Sequence, residues 1–345
     1  MSRSGLIRRR LPPVPPKAGV TLPTAAAPSL EKLNVKAPKA IPFTGDDLLF
    51  FIDDLARSRA PRTTRKYGEK LQLGDIAVID VLAYHQGKLV PFSPKSGMEV
   101  EVGAGDSLPW LDESLMECAV GDGLELDITL PEDEPVEAMR GAEVTYLIDV
   151  VSAYRLELPA ADSKEYVALL SRKKTSLEAV MKDLSEKLEN ERIADAWQEA
   201  RECVMDELVR RTEVSVSSEL VDEEIRRTWA RLELPLLERK AFEPDELRDA
   251  VDGWLSDEPT RADAERRLRL ALAVKAIAEK EQITFDSETM KLMVDDAKAR
   301  FGIPKEEVRK ALKDPRAPAH DQMVAVGIQM RVIELAMAAA KIEWV

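Results

Sequence analysis

Few side chains in this sequence have the chemistry of a nucleophile, a general base or a soft metal ligand. The 345 residues contain two cysteines, Cys118 and Cys203, without a CxxC spacing, and two histidines, His85 and His320, outside any recognisable motif. The sequence also lacks a phosphate-binding loop, a dinucleotide fingerprint, an HExxH motif and a nucleophile elbow. We therefore expect no covalent catalysis, no bound metal and no cofactor, and two cysteines are too few for a disulfide framework.

Methionine is the apolar residue best suited to contact partners of varied shape, because its thioether side chain is flexible and polarisable. The methionines in the C-terminal third of the chain are Met290, Met293, Met323, Met330 and Met337. We predict that they form a polypeptide-binding surface. Burial in a structural core is the alternative, and the sequence does not decide between the two.

Charge and composition narrow the class of protein further. The net charge is -14 and 33% of the residues are charged, whereas 5% are aromatic. An acidic chain is a poor general binder of nucleic acid, and this composition favours helices with charged outer faces. The chain has no charge-free apolar window of about 18 residues, and its first residues lack the apolar core of a secretory signal. We therefore expect no membrane contact and a cytoplasmic location.

The first 70 residues contain two different kinds of segment. Residues 1–42 are rich in proline, lysine and arginine and contain one acid, Glu31, which predicts a disordered tail. Residues 43–70 are predicted to be a linker with a short amphipathic helix, because Thr44 is a suitable N-cap and apolar residues follow it at helical spacing.

The rest of the chain predicts an α+β multidomain fold. Residues 71–158 alternate strand-like runs with glycine turns, which indicates a small antiparallel β domain with a short helix near residues 111–116. Residues 159–345 follow three- and four-residue apolar steps, which predicts helices throughout, the last of them over residues 318–342.

An ordered series of motifs in residues 71–158 resembles the FKBP-type module of the bacterial trigger factor family. The motifs are GDIAVID at residues 74–80, Gly87-Lys88, Gly103-Ala104-Gly105, Leu108-Pro109, LDITLPED at residues 126–133 and GAEVTY at residues 141–146. Helical segments at residues 208–225 and 266–284 resemble the C-terminal region of the same family. The resemblance covers residues 41–343 and implies a chaperone with an FKBP-like domain at 71–158 and an elongated, all-α domain of helical arms at 159–345. The five methionines are then candidate client-binding residues.

The resemblance also implies a prolyl-isomerase pocket, which in this family is an apolar aromatic cup with polar groups near the twisted carbonyl. The matching positions hold Val81, Val90, Pro91, Met98, Leu108, Leu111, Glu134 and, as the one retained aromatic, Tyr146. Aromatic side chains bury about 150–250 Å² each, so their replacement predicts a degenerate pocket with weak or no isomerase activity.

The family's N-terminal ribosome-binding domain carries a GFRxGKxP loop, and these 345 residues contain no such loop. We therefore expect a trigger-factor-like chaperone that binds unfolded or nascent polypeptides in a helical cradle, without the family's usual contact with the ribosome. Two alternatives stay open. One is an FKBP-type prolyl isomerase acting on proline-containing polypeptides, and the other is an assembly factor dedicated to one partner.

The proline-rich tail allows three interpretations of its own. Residues 9–15, RRLPPVP, fit the pattern of an SH3-domain ligand, which predicts a docking peptide. A soluble linker is the simpler interpretation, and basic contact with ribosomal RNA or a membrane surface is the third.

Overall fold

Two sets of chain segments fold as separate units in the computed structural model, which describes residues 22–105, 109–133, 139–161, 163–171, 176–301 and 320–345, together with Glu306 and Arg309. Within these residues, the first unit comprises segments 43–188 and 225–261, and the second comprises segments 22–42, 189–224 and 262–345. The predicted α+β multidomain class is confirmed. The domain boundaries placed after residues 42, 70 and 158 remain predictions.

Two long strands, β3 (Asp75–His85) and β7 (Glu143–Leu156), organise the sheet of the first unit. They pair antiparallel, from Asp75 opposite Arg155 to Tyr84 opposite Thr145. Both strands are rich in β-branched and aromatic residues, which pack well on a pleated surface. The other strands are β2 (Arg62–Thr64) and β6 (Gly123–Thr129) beside β7, and β4 (Lys88–Leu89) and β5 (Lys95–Glu101) beside β3.

Helix α2 (Pro109–Leu115) packs on this sheet, and its Leu115 is fully buried in the same core. The turn that precedes the helix is held by Asp112, whose carboxylate accepts hydrogen bonds from the backbone N–H groups of Gly103 at 2.6 Å and Gly105 at 2.8 Å. Both glycines have left-handed backbone conformations that a side chain would disfavour. The Asp112 carboxylate therefore fixes the position from which α2 starts.

The first unit also contains helices that lie before and after the sheet in the chain. They are α1 (Gly45–Arg59), α3 (Lys164–Leu170), the first part of α4 (Leu177–Arg211), the end of α5 (Ser218–Leu232), α6 (Leu234–Arg239) and α7 (Pro244–Ser256). The predicted cap of α1 is confirmed, because Thr44 Oγ1 accepts the N–H of Asp47 at 3.2 Å and Asp47 Oδ2 accepts the N–H of Thr44 at 2.7 Å. Ile52 on α1, Val167 on α3 and Val180 on α4 then share one apolar cluster.

The second unit is mainly helical. Its helices are the rest of α4, the start of α5, most of α8 (Glu258–Lys280), α9 (Ser287–Phe301) and α10 (His320–Ala339). Apolar residues at helical spacing on α4, α8 and α10 meet in one core, in which Leu208, Ile277 and Val332 are almost completely buried. The burial of these faces is the main source of stability for helices of this kind.

Two strands in the second unit were missed by the sequence analysis. Strand β1 (Leu33–Ala37) pairs in parallel with β8 (Ala340–Trp344). The prediction of a disordered tail through residue 42 is therefore wrong for residues 33–37, the last helix ends at Ala339 instead of residue 342, and the C-terminal region is not purely helical. Leu33, Val35 and Ala37 alternate with exposed residues and bury one side of β1 in the core, an alternation that the surrounding prolines and lysines obscured.

Arg211 fastens the segment before β1 to helix α4. Its guanidinium donates hydrogen bonds to the backbone carbonyl oxygens of Ser29 and Glu31 at 2.8 Å and of Lys32 at 2.9 Å. Glu207, one turn earlier on α4, accepts from the same guanidinium at 2.8 Å. The arginine thus supplies donors to backbone carbonyls and sets where the chain enters β1.

Replacing Arg211 with alanine is expected to release the segment before β1, because three carbonyls lose their donor. Losing charge-assisted hydrogen bonds of this kind costs about 2 kcal/mol of folding free energy. Hydrogen exchange at residues 33–37 should accelerate and the unfolding midpoint should fall. Arg210→Ala is the matched control, because Arg210 also donates to Glu207 but its side chain is 73% exposed. Equal effects of the two substitutions would contradict this role for Arg211.

Candidate functional site

An apolar pocket of about 320 Å³ lies in the first unit between the sheet, helix α2 and the loop after β4. Six of the eight residues predicted for the isomerase pocket line it: Val81, Val90, Pro91, Met98, Leu111 and Tyr146. The other two, Leu108 and Glu134, lie outside the described residues. The structure therefore brings together every predicted pocket residue that it describes.

Trp110 is a second aromatic wall that the sequence analysis missed. Its ring centroid lies 4.9 Å from that of Tyr146, with the two planes tilted by 38°. Tyr146 was predicted as the one aromatic retained at the matched family positions, and Trp110 adds a ring from a position outside that set. The sequence analysis matched Leu111 to the aromatic position of the family. In the structure, the preceding residue of α2, Trp110, also lines the pocket. The aromatic ring therefore lies one position earlier in the chain than expected. A tryptophan adjacent to the aligned position was the available signal.

The loop after β4 forms one wall of the pocket through Pro91 and Phe92. Phe92 has a φ of 64°, a left-handed conformation that is a true outlier for a bulky residue. Helix α7 packs against this loop: the ring centroid of Trp254 lies 4.3 Å from that of Phe92. At Gly253 of α7 a Cβ atom would lie 2.8 Å from Pro91 Cγ. Helix α7 can therefore approach Pro91 this closely only because glycine has no side chain.

A buried carboxylate stands behind the same loop. Glu233, between α5 and α6, is 5% exposed, and its oxygens accept hydrogen bonds from Trp254 Nε1 at 2.7 Å and Trp229 Nε1 at 3.4 Å. Burial raises the pKa of Glu233, although the two indoles, the charge of Lys95 and the backbone N–H of Phe92 favour the ionised form. Glu233 was missed because nothing in the local sequence distinguishes it from the many surface acids.

A second polar contact joins the same helical segment to the sheet. Lys240, which follows α6, lies 3.2 Å from Asp80 Oδ2 and also forms an ion pair with Asp149. Burial opposes the charge of Asp80, but hydrogen bonds from Ser96 and the Gly97 N–H, with Lys240, lower the pKa of its carboxyl. The lysine offsets part of the negative charge of the two carboxylates, so this contact ties the helical segment to the sheet.

The predicted client-binding methionines divide between two places in the second unit. Met290, Met293, Met323 and Met330 form one cluster between α9 and α10 with Phe285 and Val294, which we call the methionine cluster. Met293 is buried and the other three methionines are half-buried. Met337 lies apart, against the main core of the unit.

The approach of the two helices in the methionine cluster depends on Gly327 of α10. A Cβ atom at Gly327 would lie 2.6 Å from Met293 Sδ and 2.7 Å from Phe285 Cε2. Because no side chain intervenes, the thioether of Met293 and the ring of Phe285 pack directly on the α10 backbone. The half-buried methionines remain at the edge of this contact.

Two of the side chains with potential for covalent or metal chemistry, Cys118 and His85, make hydrogen bonds to backbone carbonyls elsewhere in the first unit. Cys118 is buried, donates a hydrogen bond to the Ser114 carbonyl oxygen at 3.1 Å, and has its thiol pKa raised by burial, which disfavours the reactive thiolate. His85 Nδ1 lies 2.7 Å from the Glu143 carbonyl oxygen. Within the part of the chain that the structure describes, no three His, Cys, Asp or Glu side chains are grouped to hold a metal ion. None of the described helices is long and apolar enough to span a membrane.

Comparison with known proteins gives consistent matches. The family described as bacterial trigger factor protein (TF), C-terminus, matches residues 176–338. The trigger factor of Novosphingobium aromaticivorans is 27% identical over 81% of this chain and 53% of its own length. That of Synechococcus sp. is 25% identical over 86% of this chain and 63% of its own, and that of Alcanivorax borkumensis is 24% identical over 93% and 70%. A solved trigger factor chaperone chain covers 92% of this chain and 73% of its own, at 17% identity and a TM-score of 0.35.

A sheet unit with an aromatic-walled pocket and a helical unit with a methionine cluster define a multidomain α+β protein with apolar sites for contact. The chain resembles trigger factors over most of its length, and the matching family model covers its C-terminal region. The chain spans 53% and 63% of the lengths of the first two relatives named above.

Replacing Glu233 with glutamine removes a charge whose burial opposes folding. Because the folded-state pKa lies above the unfolded value of about 4.5, the folded protein holds the proton more tightly, and its stability falls as pH rises through the folded pKa. The glutamine variant lacks this loss. In thermal unfolding between about pH 4 and about pH 8, we expect the Tm difference, variant minus parent, to increase across that window and then level off.

The matched control for this experiment is Glu238→Gln, because Glu238 lies exposed on α6 in the same segment. Its Tm difference from the parent is expected to show no comparable step. A Tm difference for Glu233→Gln that stays constant with pH would show that the Glu233 carboxylate is not destabilised by its burial.

Proposed function

We propose that this protein is a trigger-factor-type molecular chaperone that binds unfolded or nascent polypeptides on apolar surfaces of its helical unit. The observation that carries the proposal is the methionine cluster. Three of its methionines are half-buried, so their thioethers are held in place by Phe285 and Met293 and yet retain surface for a partner. Flexible thioethers can adapt to clients of different shape, and their burial contributes about 25 cal/mol per Å².

A second apolar surface of the helical unit supports the same proposal. Trp197 on α4 and Trp344 on β8 form an edge-to-face pair with ring centroids 5.0 Å apart. They are 49% and 38% exposed, and Ile193, one turn before Trp197, is 44% exposed. Large exposed rings of this kind are characteristic of sites that take partners.

The acidic character of the chain, with a net charge of -14, keeps a loaded chaperone soluble and favours basic clients. We assign the activity to the cytoplasm, with residues 71–158 as the FKBP-type domain and residues 159–345 as the chaperone domain. The proposed client capture rests on the apolar surfaces of the helical unit and does not require a ribosome-binding loop.

Replacing Met323 and Met330 together with glutamine is expected to weaken client binding about tenfold, because about 1.4 kcal/mol of apolar contact is lost. The measurement is suppression of the aggregation of a chemically unfolded client, followed by light scattering against chaperone concentration. Met116→Gln is the control, because Met116 is 47% exposed but lies in the first unit. Absence of suppression by the parent protein in excess would overturn the proposed function.

The pocket supports weak prolyl isomerisation as a second candidate activity. Trp110 and Tyr146 supply a surface on which a prolyl ring can be desolvated, and desolvation favours the twisted X–Pro bond whose uncatalysed barrier is roughly 18–20 kcal/mol. Met98, Val81 and Leu111 complete an apolar cup.

In a proline-peptide isomerisation assay, Trp110→Ala and Tyr146→Ala are each expected to reduce the rate above background severalfold, because each removes one ring of the contacting Trp110–Tyr146 pair. Phe50→Ala serves as the control, since Phe50 is a 77% exposed aromatic on α1. A parent rate indistinguishable from background would restrict the pocket to binding without catalysis.

A further inference from the structure

Two hydrogen-bond donors from different helices of the first unit converge on the Glu233 carboxylate. Trp229 Nε1 donates to Oε1 from α5, and Trp254 Nε1 donates to Oε2 from α7. The Trp254 ring in turn packs on Phe92 of the pocket loop, with ring centroids 4.3 Å apart. Each oxygen is therefore used, and Glu233 links two helices, one of which supports the wall of the pocket.

The conformation of Phe92 requires support of this kind. A bulky residue with a φ of 64° costs about 1–3 kcal/mol and persists where its surroundings hold it. Here the Trp254 ring packs on the Phe92 side chain, Gly253 leaves room for Pro91, and Glu233 holds the Trp254 indole in place. The strained residue lines the pocket itself.

We propose that Glu233 is a positioning residue that sets the shape of the apolar pocket by holding Phe92 against helix α7. The role of the residue in peptide affinity rests on the proposed binding function of that pocket, whereas its role in positioning Phe92 does not. The ligand class is a short apolar peptide segment containing proline, which the Trp110 and Tyr146 rings and the Phe92 wall fit by size and polarity.

A carboxylate suits this position because both of its oxygens accept hydrogen bonds. A carboxylate presents lone pairs on both oxygens, so it accepts from two indoles at once, one on each oxygen. Glutamine presents one accepting oxygen and turns two N–H groups toward donors. The facing cation is Lys95, which itself lines the pocket and whose charge favours ionised Glu233. The buried charge therefore holds the loop at a cost to stability that a neutral residue would avoid.

The experiment compares Glu233→Gln with Lys240→Met in the full-length protein. Both substitutions loosen the same helical segment, but Lys240 contacts Asp80 and Asp149 of the sheet and not the pocket loop. The first readout, without any ligand, is amide hydrogen exchange at Phe92. We expect it to accelerate at least tenfold in Glu233→Gln and to stay within about twofold of the parent in Lys240→Met.

The second readout is the affinity for a dye-labelled Ala-Leu-Pro-Phe peptide, measured by fluorescence anisotropy. We expect Glu233→Gln to weaken peptide binding about tenfold without lowering Tm at neutral pH. Replacing a residue with a purely structural role would lower Tm as well as affinity. Trp254→Phe keeps the ring against Phe92 and removes the indole donor, so it should weaken binding in the same direction and keep the proposal testable if Glu233→Gln fails to fold.

The outcomes distinguish the positioning of Phe92 by Glu233 from the binding of peptide in the pocket. Unchanged Phe92 exchange in Glu233→Gln, or equal acceleration in Lys240→Met, would overturn the positioning role. If the parent protein does not bind the peptide, the proposed pocket function fails, and the exchange data still decide whether Glu233 positions Phe92.

Discussion

The register of β3 against β7 is the constraint on which the first unit depends. It places Asp80 opposite Asp149, and like charges directly opposite in an antiparallel ladder destabilise the pair. Lys240 contacts both carboxylates and reduces their repulsion, so the helical segment after α5 supplies a cation that the sheet itself lacks at this position. The same register sets Val81 opposite Ile148 and Ala83 opposite Tyr146, which brings the floor of the pocket together. A shift by one residue would turn these side chains to the other face.

Most of the pocket could be predicted because its residues lie on this ladder. The order of motifs in residues 71–158 determines which strands pair, and the pairing carries Val81, Met98 and Tyr146 to one place. Trp110 was missed because the exact start of a seven-residue helix is not encoded in apolar spacing. Glu233 was missed because its burial arises from packing between segments about 140 residues apart in the chain, which no local pattern records.

In the second unit, the methionines of α10 follow helical spacing, whereas composition gave a wrong prediction for the first strand. Met323, Met330 and Met337 recur every seven residues and so lie near one stripe of α10. They nevertheless enter different clusters, because α10 runs along α9 first and reaches the main core later. For residues 33–37, the proline-rich and basic surroundings predicted disorder, while a three-residue alternation of Leu33, Val35 and Ala37 was enough to form a buried strand once α4 and α10 supplied the surface.

Two buried carboxylates of the first unit, Asp75 and Glu233, differ in how their negative charge is compensated. Asp75 is fully buried, and the Arg65 guanidinium donates to both of its oxygens at 2.9 Å, so its charge is compensated where it is buried. Among the residues that the structure describes, no Lys or Arg forms an ion pair with Glu233: its hydrogen bonds come from two neutral indoles, and burial raises its pKa. A fold selected for stability alone would place a neutral residue there. Three unfavourable features lie around one wall of the pocket: the buried Glu233 carboxylate, the left-handed Phe92 and the close approach of Pro91 to Gly253. Strained local features of this kind cluster at binding sites, which supports the role proposed for this pocket.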